Sequence, residues 1–127
     1  MFGVRDLWPE GERKRLERSR IHVVAWRDGR PESDLIAPLD ELAHRVEEVY
    51  LHIDFDGFTP EVAPGIVDEP VPGGLLREDA DAIVRATGER FRIRAATLAT
   101  YTPDRDEDEK TLELALHLID IVSEAVS

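Results

Sequence analysis

Cysteine is absent from the 127-residue sequence, which excludes disulfides, cysteine-ligated zinc and a thiol nucleophile. There is also no run of about eighteen apolar residues and no basic segment followed by an apolar one, so we expect a cytoplasmic protein. Basic residues are scarce as well. Sixteen Lys and Arg against 28 Asp and Glu give a net charge of −12, which disfavours nucleic acid and anionic membranes as partners.

Apolar residues nevertheless make up 42% of the chain, enough for a folded core. The length suits one domain, so we expect residues 1–127 to form a single unit. The early basic residues alternate with acids, a pattern typical of a solvent-exposed helix face with ion pairs rather than of a binding patch. These residues are Arg13, Lys14, Arg15, Arg18 and Arg20 with Glu10, Glu12 and Glu17.

Strands and helices alternate along the sequence, as judged from the spacing of its apolar residues. Residues 1–8 are typical of the end of a strand and a turn. Further strands are predicted at 21–26, 49–56 and 90–101, and helices at about 9–19, 34–48, 77–87 and 108–125. Such alternation implies right-handed crossovers and parallel pairing. The sequence therefore predicts an α/β fold with three layers, αβα, around a small, mainly parallel sheet.

Three of the predicted helices have apolar residues at a spacing that indicates one buried face. The predicted core residues are Leu35, Leu39, Leu42 and Val46; Leu76, Ala80, Ile83 and Val84; and Leu112, Leu116, Ile119 and Val122. Pro9 suits the first turn of the first helix, Asp34 or Ser33 can cap the second, and Gly88 is predicted to end the third. The acidic cluster at 104–109 lacks the spacing of a calcium loop and is predicted to stabilise the start of the last helix.

The stretch from Val49 to Leu75 concentrates the groups that can do chemistry. Its strand alternates apolar residues with His52, Asp54 and Asp56, which are therefore predicted to point the same way. A long loop rich in Pro and Gly follows, and loops of this length in compact domains are usually functional. Carboxylates at the carboxyl end of a buried strand lie where open α/β sheets bind ligands. Asp54 and Asp56 are the candidate site residues.

The same stretch resembles the manganese-dependent ureohydrolases, the family of arginase and agmatinase. The matching segments are Asp54-Phe55-Asp56-Gly57, Pro60, Ala63-Pro64-Gly65 and Pro70-Val71-Pro72-Gly73-Gly74-Leu75. Landmarks that agree elsewhere are Gly3-Val4-Arg5-Asp6, at the end of an earlier family strand, and Pro103, Asp106 and Thr111, after the last one. The resemblance covers the whole chain but only the carboxyl-terminal part of a family member, which implies a partial arginase-like fold.

The resemblance implies that Asp54 and Asp56 are two ligands of a binuclear manganese site. The family takes its other ligands, two His and two Asp, from upstream motifs that this sequence lacks, so the site is incomplete and no catalytic residue is assigned. An active form would hydrolyse C–N bonds in small linear amidines. His52 can add a ligand, although a histidine packed beneath a helix is the simpler interpretation. His22 is predicted to be packed or half-exposed, and His117 to lie on a helix surface.

Three departures from the family bear on the substrate. Thr59 stands where a third Asp is usual, and Asp68-Glu69-Pro70 replaces Gly-Thr-Pro. Thr100 occupies the position of a Glu that faces the guanidinium group in arginases. Because a hydroxyl does not neutralise a cation as a carboxylate does, a substrate other than a guanidino compound is expected.

Two alternatives stay open. Ile53-Asp54-Phe55-Asp56-Gly57 with Thr59 also resembles the first motif of haloacid-dehalogenase-type phosphatases, in which the first Asp attacks a phosphoryl group and magnesium is bound. That chemistry needs a Lys and further acids near the site, and the only Lys after Asp56 is Lys110. The other alternative is a non-catalytic half-fold that associates with itself.

An expectation about assembly follows from strand order. In the ureohydrolase fold, the strands that match 21–26 and 49–56 are separated by two others, and most of that segment is missing here. We expect 21–26 to pair directly with 49–56, with 90–101 on the other side. The remaining free edges and apolar surface imply a homo-oligomer or a partner that supplies a missing amino-terminal half.

Overall fold

The computed structural model of the protein describes residues 1–5 and 10–126, and its strands and helices alternate as predicted, except that one further short strand follows the second strand directly. In chain order they are β1 (Phe2–Val4), α1 (Glu10–Arg18), β2 (Val24–Arg27), β3 (Arg30–Pro31), α2 (Ala37–Ala43), β4 (Glu48–Asp54), α3 (Arg77–Arg90), β5 (Arg92–Ala99) and α4 (Lys110–Val126). Short 3₁₀ turns lie at Phe55–Gly57, Pro103–Arg105 and Glu107–Glu109. The α/β class is therefore confirmed. The predictions for Asp6 and Pro9 lie outside the described residues.

The strands form two small sheets rather than one. β1 pairs in parallel with β2, and β3 pairs antiparallel with β2 through a turn in which Asp28 and Gly29 both have positive φ. β4 pairs in parallel with β5 along its whole length. The expected direct pairing of 21–26 with 49–56 is wrong, because β1 and β3 already occupy the two edges of β2.

The β4–β5 pair is covered by helices on one face. Val49, Leu51 and Ile53 point towards that side and contact the hydrophobic core. On the opposite face Tyr50 is 59% exposed and His52 is exposed too. The second helical layer of the predicted αβα arrangement does not cover this face within the described residues.

Helix α4 buries a different face from the predicted one. Its core side chains are Thr111, Leu114, Ala115, Leu118 and Ile121. By contrast, Leu116 is 56% exposed and Ile119 is 50% exposed. Apolar residues occur on nearly all sides of this helix, so helical spacing alone fits more than one buried face.

Helices α2 and α3 also correct the sequence-based boundaries. α2 ends at Ala43, and the predicted core residues Leu42 and Val46 are exposed, whereas Leu39 is buried. α3 runs through Gly88, so this glycine is not a helix end. A Cβ at Gly88 would lie 2.7 Å from the Ala125 Cβ, which shows that Gly88 is there to let α3 and α4 approach closely.

Helix α1 confirms the predicted ion-paired surface. Arg13 pairs with Glu17 at 2.7 Å and Lys14 with Glu10 at 2.9 Å, each one helical turn apart. No described residue of α1 is buried. None of the helices in residues 1–5 and 10–126 has the length and apolar character needed to cross a bilayer.

Candidate functional site

The candidate site begins where β4 ends. The strand stops at Asp54, and Asp56 lies in the following 3₁₀ turn, so the predicted strand alternation does not extend to Asp56. The Asp56 amide donates to Asp54 Oδ1 at 2.9 Å, and this hydrogen bond closes the turn. Asp54 is therefore fixed by the residue with which it forms the Asp-x-Asp motif.

A second donor to Asp54 comes from the next strand. The Thr100 Oγ1 hydroxyl donates to Asp54 Oδ1 at 2.6 Å, directly after the pairing of Asp54 with Ala99. Thr100 has a φ of 69°, a left-handed conformation that is costly for a β-branched residue, of the order of 1–2 kcal/mol. Sequence comparison identified the position of Thr100, but only the structure reveals this contact with the candidate ligand.

Arg5 holds the backbone around the Asp-x-Asp turn. Its five guanidinium N–H groups lie within hydrogen-bond distance of six backbone carbonyls, so some of them are shared between two acceptors, and no carboxylate is among the contacts seen. Those carbonyls belong to Gly3, Asp56, Gly57, Phe58, Val71 and Pro72. One side chain thus joins the turn after β4 to the end of the Pro/Gly loop. The Gly-Val-Arg-Asp landmark was the only sequence signal for this role.

The Pro/Gly loop is tied down along its length. The Thr59 amide donates to the Leu75 carbonyl and the Leu75 amide to the Gly57 carbonyl, both at 3.0 Å. Further along, the Gly65 amide donates to Thr111 Oγ1 at 2.8 Å, which links the loop to α4. The loop is therefore a fixed wall beside the site rather than a loose connector.

Thr59, which stands where the family has a third acid, uses its hydroxyl within the loop. It donates a hydrogen bond to the Glu61 carboxylate. This bond, together with a backbone hydrogen bond at Glu61 itself, holds the pKa of Glu61 below its ordinary value. The local charge at this part of the loop is thus carried by Glu61 rather than by residue 59.

Asp106 fastens the start of α4 behind the site, as the acidic cluster predicts. Its carboxylate accepts hydrogen bonds from the Thr111 amide at 2.8 Å, the Leu112 amide at 2.9 Å and the Tyr101 hydroxyl at 3.2 Å. Burial alone would raise the pKa of Asp106, but these hydrogen bonds, above all those from Thr111, outweigh it. The pKa is therefore lowered from its ordinary value.

The lowered pKa of Asp106 predicts an acid-dependent loss of stability. The charged form is favoured by folding, so its contribution is present above the ordinary pKa of 3.8 and is lost as the pH falls through the folded pKa. Asp106→Asn should lower the free energy of unfolding at pH 7 by about 1–2 kcal/mol, the effect of a lost helix cap. Urea unfolding should show the two proteins converging as the pH falls below about 4, from the ordinary pKa of 3.8 towards the lower folded pKa. An Asn variant whose deficit stays constant over that range would contradict this assignment.

The histidines do not complete a metal site. His52 is exposed beside Tyr50, with ring centroids 6.5 Å apart, so the prediction that it packs beneath a helix is wrong. His22 is half-exposed as predicted, near Glu41. His117 is mostly buried, not on the surface, and its Nε2 lies 2.6 Å from Asp81 Oδ1.

The donors at Asp54 and Asp56 have the right chemistry for a hard divalent cation, since both are carboxylates. Their number is too small. Within residues 1–5 and 10–126, no three His, Asp or Glu side chains come together as a metal site would require. The described residues therefore offer part of a donor set, not a whole one.

An α/β fold with paired carboxylates at the carboxyl end of a parallel strand is the architecture of many hydrolytic enzymes that use metal ions. A sequence model of the arginase family matches residues 1–123. The chain belongs to the arginase family.

Individual relatives agree with this assignment. The chain is 32% identical over 125 residues to an arginase from Bacillus caldovelox, covering 94% of this chain and 40% of that protein. It is 34% identical over 88 residues to a formimidoylglutamase from Aeromonas hydrophila, and the match covers 67% of this chain and 27% of that protein. The phosphatase alternative is not favoured by these matches.

Solved structures confirm the fold. The arginase from Bacillus caldovelox superimposes with a TM-score of 0.80 at 28% identity, over 95% of this chain and 41% of that one. A hypothetical agmatinase from Burkholderia thailandensis superimposes with a TM-score of 0.75 at 27% identity, over 98% of this chain and 37% of that one. The chain thus has a partial arginase-like fold and spans about 40% of the length of the arginase it matches.

Proposed function

We propose that this chain carries two carboxylate ligands, Asp54 and Asp56, of a binuclear manganese site in a ureohydrolase-type enzyme. The observation that carries the proposal is the fixed carboxylate of Asp54 at the end of β4, held by Thr100 and by the Asp56 amide. It supports the proposal because a ligand already oriented by hydrogen bonds binds a cation with less reordering. The arginase family is manganese-dependent, which agrees with carboxylate donors.

The proposed site is completed from outside the described residues. The two carboxylates are fewer donors than a binuclear site needs, and relatives of this chain are more than twice as long. The remaining ligands would come from a polypeptide equivalent to the rest of the family fold, or from self-association. On this proposal the chain is inactive by itself. The proposed location is the cytoplasm.

The proposed reaction is hydrolysis of a C–N bond in a small linear amidine. A bound metal pair would supply a hydroxide nucleophile and polarise the electrophilic carbon. This chain's own contribution is to hold two carboxylates and to place the neutral Thr100 hydroxyl beside the carboxylate of Asp54. Because a neutral group does not stabilise a guanidinium ion, the proposed substrate class excludes arginine and agmatine.

The isolated chain is expected to bind Mn²⁺ weakly, with a Kd of roughly 10⁻⁴–10⁻³ M, the range of weakly chelating carboxylate sites. Calorimetric titration should show this binding lost in Asp54→Ala and unchanged in Asp104→Ala, a matched acid on an exposed turn. The isolated chain with Mn²⁺ should release no urea from arginine or agmatine. Tight stoichiometric binding, or urea release that depends on Asp54, would overturn the claim that the site is incomplete.

A further inference from the structure

Both hydrogen bonds that the Asp54 side chain accepts end on the same oxygen of its carboxylate. The Asp56 amide and the Thr100 hydroxyl donate to Oδ1, at 2.9 Å and 2.6 Å. A carboxylate oxygen has two lone pairs, so two donors leave Oδ1 little capacity to bind a cation. Within residues 1–5 and 10–126, the other oxygen, Oδ2, has no hydrogen-bond partner. The carboxylate thus has one occupied oxygen and one open oxygen.

The position of the Thr100 hydroxyl depends on an unusual backbone conformation. Ala99 pairs with Asp54 across the β4–β5 ladder. In a strand that continued regularly, the side chain of residue 100 would point to the opposite face from that of Ala99, and away from the Asp54 carboxylate. Instead Thr100 has a φ of 69°, in the left-handed region that a β-branched residue seldom adopts. This change of direction brings its hydroxyl to Asp54 Oδ1.

The backbone is fixed on both sides of Thr100, and this is what keeps the strained residue in place. The residue before it belongs to the β4–β5 ladder. After it, Tyr101 forms a β-bridge with Ile66, and the Thr102 amide donates to the Gly65 carbonyl at 2.7 Å. Glycine would adopt the left-handed conformation without strain, but it has no side chain that can donate to a carboxylate. A donor at this point is therefore kept despite its strain, as is common where a residue has a functional role.

We propose that Thr100 is a positioning residue for the metal site: its hydroxyl keeps Asp54 Oδ1 occupied and so directs Oδ2 towards the cation. This inference rests on the proposed function, because it takes Asp54 to be a ligand, and it adds the residue that orients that ligand. An ionised glutamate at position 100 has no proton to donate to a second carboxylate. The contact thus depends on the hydroxyl that distinguishes this chain from arginases at that position.

A double-mutant cycle in the metal-free chain tests the contact itself. Thr100→Val keeps the β-branch, and with it the backbone strain, and removes only the hydroxyl. With EDTA present, urea unfolding should show the folding equilibrium constant lowered by about tenfold or more, because the lost hydrogen bond has a charged acceptor. In the Asp54→Ala background, the same substitution should change that constant by about twofold or less. Equal effects in both backgrounds overturn the proposal.

Manganese binding tests the positioning role. Electron paramagnetic resonance, which counts the unbound Mn²⁺, should show the Kd raised by about tenfold or more in Thr100→Val, because the cation itself must then order the ligand. Thr100→Ser keeps the hydroxyl and should restore the wild-type Kd. The matched control is Thr102→Val, since the Thr102 hydroxyl forms no hydrogen bond within the described residues. It should leave the Kd unchanged.

The choice of oxygen has a spectroscopic signature. A carboxylate that binds a cation through one oxygen has a wider separation between its two C–O stretching frequencies than one that binds through both. Difference infrared spectra of the chain labelled with ¹³C-aspartate, recorded with and without Mn²⁺, should show the wide separation for the wild type. Thr100→Val frees Oδ1 and should narrow it. A separation that is the same in both proteins overturns the role of Thr100 in directing Oδ2.

The outcomes separate this inference from the proposed function. If Asp54→Ala abolishes Mn²⁺ binding and Thr100→Val leaves the Kd unchanged, the inference is overturned and the proposed function stands. If Thr100→Ser loses as much affinity as Thr100→Val, the residue acts through its shape rather than its hydroxyl, which also overturns the inference. Mn²⁺ binding that Asp54→Ala does not change overturns the proposed function, and the inference with it.

Discussion

Replacing Arg5 with methionine is expected to lower the free energy of unfolding by about 4 kcal/mol or more, enough to unfold much of the chain. Methionine keeps most of the length of the side chain but donates no hydrogen bond. Six backbone carbonyls around the Asp-x-Asp turn and the end of the Pro/Gly loop would lose a charged donor. Carbonyls that lose a charged donor in a partly buried junction cost more than the bond energies alone, even where, as at Gly57, a backbone amide still donates.

Urea unfolding at pH 7 measures this effect. Arg13→Met on the exposed face of α1 is the matched control, and its one surface ion pair predicts a change within about 0.5 kcal/mol. Arg5→Lys should fall between the wild type and Arg5→Met, because an ammonium donates fewer hydrogen bonds in a different geometry. An Arg5→Met variant within 1 kcal/mol of the wild type would show that the junction does not depend on this side chain.

The second large effect is expected for Gly74→Ala, with a loss of about 3 kcal/mol. A Cβ at position 74 would lie 2.6 Å from the Gly57 carbonyl oxygen and 2.7 Å from the Phe58 carbonyl carbon. Both are backbone atoms held by Arg5, so they cannot move aside cheaply. The same Cβ would be 2.8 Å from the Arg5 guanidinium carbon. The loop at Gly74 therefore lies so close to the turn that carries Asp56 that there is no room for a single added methyl group.

Gly11→Ala is the control for this prediction. Gly11 lies inside α1, and a Cβ there has no neighbour within 4 Å. Alanine should stabilise the chain by about 0.5–1 kcal/mol, since glycine is a poor helix former. The midpoint temperature of thermal unfolding should therefore rise for Gly11→Ala and fall for Gly74→Ala. If both raise the stability, the close approach at Gly74 does not hold in solution.

The fold class could be predicted because it depends on local patterns. β4 and β5 have apolar residues alternating along the chain, and the helices between strands have them at helical spacing. Pairing could not be predicted in the same way, because it depends on which edges meet in space. The Asp28-Gly29 pair after β2 is a hairpin signal that indicates β3, but nothing in the sequence indicates that β1 occupies the other edge of β2. The buried face of α4 could not be predicted from spacing either, since only the packing of this helix into the core distinguishes the buried Leu118 from the exposed Leu116.

The candidate site was predictable in its residues and not in its geometry. Asp54 and Asp56 stand out by motif and position, but the end of β4 at Asp54 depends on a hydrogen bond that the sequence does not display. The contact between Thr100 and Asp54 joins residues 46 positions apart. His52 was predicted to be packed because a strand in an α/β fold usually has helices on both faces. Within the described residues, the face of β4 that carries His52 has no helix over it.

The junction made by Arg5 has a consequence for the order in which the chain folds. Its hydrogen bonds reach from residue 5 to residues 51–67 positions further along, whereas helices α3 and α4 form from neighbours. Closing so long a loop is slow and becomes favourable only after much of the core has assembled. The turn that carries Asp56 therefore reaches its final shape late in folding. An ion or a polypeptide that binds there meets a chain that has already folded, and its binding energy adds directly to the stability of that state.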